Sequence, residues 1–130
     1  MNTVIKEREV VIHEPLDKTF EFLSHPRNFN SLMPPEVKKF EAGEDWFLFA
    51  LGAMPEVKMK LSEVKPNELI KLRSASDKLD FELLCHFKQH EDHAHAWLEF
   101  QGQFNMMMKM MVEKPLKAFL KTLTDNLEKL

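Results

Sequence analysis

The 130-residue sequence has no tyrosine, a single cysteine and only three glycines. Each shortage excludes something. Without tyrosine, no phenolic hydroxyl can be set inside an apolar cavity, so any polar anchor there must come from another residue type. A lone Cys85 cannot form an internal disulfide. The longest apolar runs fall far short of the ~18 residues that span a bilayer, and residues 1–24 show no charged-then-apolar signal pattern. We therefore expect a soluble cytoplasmic chain and not an integral membrane protein. The formal net charge is −3 and the basic residues are spread evenly, so no cationic stripe exists to release counterions from nucleic acid. There is also no HExxH motif, no Gly-rich phosphate loop and no serine in a nucleophile elbow.

What the chain does have is 11 Phe, 9 Met and 7 Pro within an ordinary balance of 44% hydrophobic and 30% charged residues. A chain of this size should form one domain, 1–130, with about two-thirds of its extended surface buried and no need of a disulfide or metal staple. Thr3 to His13 reads as a first strand that Pro15 ends. Leu16, Phe20 and Leu23 place an apolar stripe on a short helix, and Phe29, Leu32 and Met33 suggest a second between Pro26 and Pro34. From Val37 to Gln103 the period becomes two, with turn signals about every 10 residues at Gly43, Gly52 to Pro55, Pro66-Asn67, Ser74 to Asp77 and Glu91-Asp92. That spacing implies an antiparallel meander. Met107 to Leu130 returns to helical spacing, so one helix of about 36 Å should lie across the sheet. Pro115 within it predicts either a kink or a true start near Glu113.

Short turns fix register. A two-residue turn at Glu91-Asp92 sets Cys85 opposite Leu98, Phe87 opposite Ala96, Leu83 opposite Phe100 and Phe81 opposite Gly102. The other face then pairs His90 with His93, Lys88 with His95, His86 with Trp97 and Leu84 with Glu99, almost wholly polar. A turn at Pro66-Asn67 pairs Leu61 with Leu72, Met59 with Ser74 and Glu63 with Ile70. Around Gly52 to Pro55 two registers stay open: either Phe47 and Phe49 point inward, or Trp46, Leu48 and Ala50 do.

The segment VVIHEPLDKTFEFLSHPRNFNSLMP resembles the N-terminal signature of the START-like, or SRPBCC, superfamily. The matching residues are Ile12, Pro15, Phe20, Phe22, Leu23, Ser24 and Pro26, while His25 replaces the more usual acidic residue. The element order agrees over the whole chain. What the resemblance implies is an α+β helix-grip fold: a curved antiparallel sheet of about seven strands around a long C-terminal helix, with two short helices after the first strand. It also implies an apolar cavity between sheet and helix. It does not choose among functions, since this superfamily holds ligand carriers, polyketide cyclases and dehydrases, hormone receptors and cochaperones.

The expected cavity wall comprises Met59, Leu61, Leu72, Ser74, Phe81, Leu83, Cys85, Phe87, Ala96, Leu98 and Phe100 from the strands. Met108, Met111, Leu116, Phe119, Leu120 and Leu123 would close it from the helix, with the NMMMKMM cluster forming a soft lip. This list contains no acid or base, so no catalytic residue is assigned. Arg8 and Glu63 are the polar anchors that could orient a ligand head. The HEDHAH run suggests a metal at first, but on the outer face and without an evident carboxylate shell it reads as a solvated hairpin. Neither metal nor cofactor is expected, and chelation should leave melting unchanged. The expectation is a carrier or sensor of a small hydrophobic ligand (lipid, quinone or polyketide-like), monomeric or homodimeric. The alternatives are a cyclase or dehydratase-type enzyme, and a dimeric interaction protein with a filled cavity.

Overall fold

Prolines and the change of hydrophobic period cut the chain where the sequence suggests. The computed structural model describes residues 2–52, 56–75 and 80–130. In chain order the elements are β1 (Asn2–Lys6), β2 (Val10–Ile12), α1 (Leu16–Leu23), a 3-10 helix (Pro26–Leu32), β3 (Val37–Ala42), β4 (Trp46–Leu51), β5 (Val57–Lys65), β6 (Leu69–Ser74), β7 (Asp80–His90), β8 (His93–Gln103) and α2 (Met106–Glu128). The strands form one antiparallel sheet in the order β1-β8-β7-β6-β5-β4-β3, with β2 also on β8. Two of the expected turns, at Gly52 to Pro55 and Ser74 to Asp77, fall largely on residues outside the described set.

The sheet has eight strands rather than about seven, because the first strand is broken. Lys6 lies opposite Glu99 but Val10 opposite Ala96, so four steps on one side match three on the other. One extra residue inverts the side-chain parity. Thr3 and Ile5 are buried before the break, and Val10 and Ile12 after it. A core-facing strand can thus change direction without turning an apolar residue to water.

The β7–β8 hairpin follows the expected register at every pair, from Phe81 opposite Gly102 to His90 opposite His93. Glu91 adopts φ 40 in the turn. On β5–β6, Leu61 faces Leu72 and Met59 faces Ser74 as expected, but Glu63 faces Lys71 instead of Ile70. The connection there takes three residues, with Asn67 at φ 60, and an irregularity between Leu61 and Glu63 restores the register. The open question on β4 is resolved: Phe47 pairs with Met59 and Phe49 with Val57, and both rings are buried. Trp46 points the other way, where the Lys58 ammonium lies 4.4 Å from its ring centroid.

Helix α2 starts at Met106, which overturns a start near Glu113. The Asn105 side chain accepts a hydrogen bond from the Met108 amide at 2.8 Å, satisfying one of the orphan donors of the first turn. Twenty-three residues give about 35 Å, enough to cross the sheet. The buried stripe is Val112, Leu116, Phe119, Leu120, Leu123 and Leu127. Near its end the Asn126 side-chain amide donates to the Leu32 carbonyl at 2.8 Å, tying α2 to the 3-10 helix. No helix among the described residues is long and apolar enough to cross a membrane.

Candidate functional site

Between the concave sheet and α2, aromatic rings occupy the space where a cavity was expected. Phe119 stacks on Phe49 with centroids 4.6 Å apart and lies parallel to Phe100 at 6.4 Å. Phe100 in turn meets Phe81 edge-on at 5.4 Å, while Phe29 stacks on Phe47 at 5.1 Å. Such pairs contribute about 0.5–1.5 kcal/mol each beyond the burial of their area.

The residues expected to line a cavity therefore occupy two kinds of position. Met59, Leu72, Phe81, Leu83, Cys85, Phe87, Ala96, Leu98 and Phe100 are all buried members of the common core. So are Leu116, Phe119, Leu120 and Leu123 of α2. Leu61 and Met108 are half-buried and pack on its margin. Ser74 sits at the sheet end, its hydroxyl accepting from the Phe81 amide at 3.0 Å. Burial pushes the Cys85 thiol up to about 12, which leaves it without the thiolate that nucleophilic chemistry needs.

The polar anchors are elsewhere. Arg8, in the connector between β1 and β2, is exposed and reaches the end of α2, 2.8 Å from Asp125 and 3.2 Å from Glu128. Lys121 first and Arg8 second hold the Asp125 carboxyl below its usual range. Glu63 lies on the outer face between Lys71, at 3.3 Å, and Lys65, at 3.6 Å, and those two cations lower its pKa. Both groups join surface ion pairs and do not reach the space between sheet and helix.

An open cleft of about 460 Å³ lies beside this packed interior. Met111, Pro115, Ala118, Phe119 and Thr122 of α2 form one wall; Pro34, Glu36 and Lys38, with Leu51 and Gly52 at the end of β4, form the other. Four of the α2 residues recur at 111, 115, 118 and 122, a second helical stripe about 140° around from the buried leucines 116, 120, 123 and 127. The signal was present in the sequence, but Pro, Ala and Thr are too small or too polar to register as an apolar stripe. Of the expected cavity residues, Met111 and Phe119 line this cleft.

Pro115 has a chemical consequence here. Its ring nitrogen carries no hydrogen, so the Met111 carbonyl four residues earlier lacks its helical donor. The Thr122, Lys38 and Glu36 side chains are the polar features of an otherwise apolar cleft. Met106, Met107 and Met110, in the turns before Met111, are all strongly exposed, and Met111 is the methionine that lines the cleft.

No protein-family model matches the chain, and no curated protein matches its sequence. Solved structures do match over nearly its whole length. Norcoclaurine synthase from Thalictrum flavum superposes with a TM-score of 0.73 at 18% identity, covering 99% of this chain and 86% of that one. The di-domain ARO/CYC StfQ from the steffimycin biosynthetic pathway gives 0.75 at 8% identity, covering 99% of this chain and 50% of that one. The Aha1 dimer from Colwellia psychrerythraea gives 0.64 at 14% identity, covering 97% and 96%. At these identities the likeness speaks for the fold. With the broken first strand, the paired short helices and the long C-terminal helix on a curved sheet, the chain has the helix-grip fold that the resemblance of its N-terminal segment implies.

Proposed function

We propose that the protein binds a small hydrophobic molecule in the cleft between the α2 stripe Met111–Pro115–Ala118–Thr122 and the β3–β4 side, as a carrier or sensor without catalysis of its own. The observation that carries this reading is the cleft itself: about 460 Å³, largely apolar, with Met111 on its helix wall and Glu36 and Lys38 on the other. That volume falls within the range of small-molecule sites, roughly 300–1,000 Å³. Methionine side chains adapt to several shapes, which suits a wall that admits flexible chains. Thr122 and Lys38 suit a ligand with an apolar body and a hydroxyl or acidic head. Support for a non-catalytic role comes from the inward-facing strand residues, which are apolar apart from Ser74 and Thr3.

A fluorescent fatty acid is the direct probe. It should bind the wild type saturably, and Ala118→Trp, which fills the cleft from an exposed helix position, should weaken binding about ten-fold or more. Stability should change within about 0.5 kcal/mol, as for most surface substitutions. Equal affinity in Ala118→Trp, or no saturable binding at all, would sink the proposal. Retention of an apolar molecule seen by native mass spectrometry would name the ligand class. The norcoclaurine synthase and ARO/CYC likenesses make the enzymatic alternative concrete: turnover of a polyketide-like substrate would replace the carrier reading with a cyclase one.

A second reading, self-association through the start of α2, is favoured by four exposed methionines, Met106, Met107, Met110 and Met111, of which Met107 is 80% exposed. The Aha1 structure is of a dimer. A solution mass of one chain at working concentration would remove this reading.

A further inference from the structure

The outer face of the sheet carries a cluster that the cleft does not use. Glu9 stands in the connector whose extra residue inverts side-chain parity, so Glu9 turns outward while Val10 turns in. Strand β2 then sets Val11 opposite His95 on β8. The tight β7–β8 turn places His90 opposite His93, and so diagonal to His95. Glu9 Oε1 lies 3.4 Å from His95 Nδ1 and 3.7 Å from His90 Nε2. The two imidazoles meet edge to face at 4.4 Å between centroids, and one ligand atom from each of the three residues lies within 4.8 Å of the others.

These separations match a coordination sphere. Ligand atoms about 2.0–2.1 Å from zinc, at tetrahedral angles, are about 3.4 Å from one another. A cation can therefore be seated between the three atoms with small side-chain rotations. Two imidazole nitrogens and one carboxylate oxygen suit a borderline divalent ion, zinc or nickel, over the all-oxygen preference of calcium or magnesium. We propose that Glu9, His90 and His95 form a zinc or nickel site on the sheet surface, with water completing the coordination. The carboxylate missing from the HEDHAH run comes from a residue about 80 positions away in sequence. Lys88, exposed and across the ladder from His95, is a facing cation that the site must tolerate. His93 does not belong to it: that residue borders a different cleft, shared with His13, Glu14 and Asp92. A bound ion would clip the broken edge strand to the β7–β8 hairpin, so metal should raise the melting temperature.

Zinc titrated calorimetrically into tag-free, chelator-treated protein should bind with one ion per chain. His95→Asn and Glu9→Gln should each weaken that affinity about ten-fold or more, while His93→Asn stays within about two-fold. Zinc should raise the melting temperature of the wild type and of His93→Asn but not of His95→Asn, with circular dichroism confirming that each variant is folded. The proposal is overturned by the absence of saturable one-to-one binding, by an equal loss in His93→Asn, or by an unchanged affinity in Glu9→Gln.

Discussion

Helix α2 presents two stripes about 140° apart, and they have opposite fates. Leu116, Leu120, Leu123 and Leu127 are fully closed over by the sheet and the 3-10 helix, whereas Met111, Pro115, Ala118 and Thr122 look into an open cleft. Phe119 lies between the stripes and belongs to both. The difference lies in side-chain size. Branched leucines reach the sheet and interlock with its phenylalanines, while small or ring-closed side chains leave a gap that the opposite wall at Leu51 and Pro34 does not fill. Packing and the proposed binding thereby fall on different sides of one helix.

The largest expected effect tests the closed side. Phe49 is buried and stacked on Phe119, and it does not line the cleft. Phe49→Ala should cost about 3–5 kcal/mol in a denaturant unfolding experiment, since it removes burial and leaves a void. A loss below about 1 kcal/mol would mean that the aromatic packing between sheet and helix is loose and that the two stripes do not differ as described. Against this, Ala118→Trp on the open side should leave stability nearly unchanged.

How much of this contrast could be read from sequence depends on the device that fixes each element. The β7–β8 hairpin was legible pair by pair because a two-residue turn and a clean polar split leave one register. Leu116 to Leu127 was legible as an apolar stripe. Three things were not. The extra residue between Lys6 and Val10 has no composition signal, and it turned Glu9 outward and gave the sheet an eighth strand. The irregularity between Leu61 and Glu63 moved Glu63 opposite Lys71 for the same reason. The cleft stripe escaped because its members are defined by what they fail to fill, and residue hydrophobicity does not record that.

A middle-sized effect comes from the start of α2, where the methionine-rich first turn is capped by Asn105. Asn105→Ala removes the hydrogen bond to the Met108 amide and should cost about 1 kcal/mol in unfolding free energy. If the first turn frays, Met111, less than two turns on, loses its fixed position at the cleft wall. Fatty-acid affinity should then fall while the Phe49–Phe119 stack, more than two turns away, is untouched. An affinity unchanged by Asn105→Ala would separate the first turn of α2 from the binding wall.

The smallest effect is at the opposite end, where Arg8 pairs with Asp125 and Glu128 in water. Asp125 has its pKa below the usual 3.8 in the folded chain, so its ionised form contributes stability above that pH, and the contribution is lost as acid takes the pH down through the depressed value. Lys121 is the larger cause of the shift and remains in Arg8→Gln, so the substitution should reduce the acid-linked change in melting temperature without abolishing it. Salt should mask the difference, because both partners are exposed and screened. A wild-type melting temperature that fell no further in acid than that of Arg8→Gln would show that the end of α2 is held by Asn126 and Leu127 alone, by the hydrogen bond to the Leu32 carbonyl and by burial.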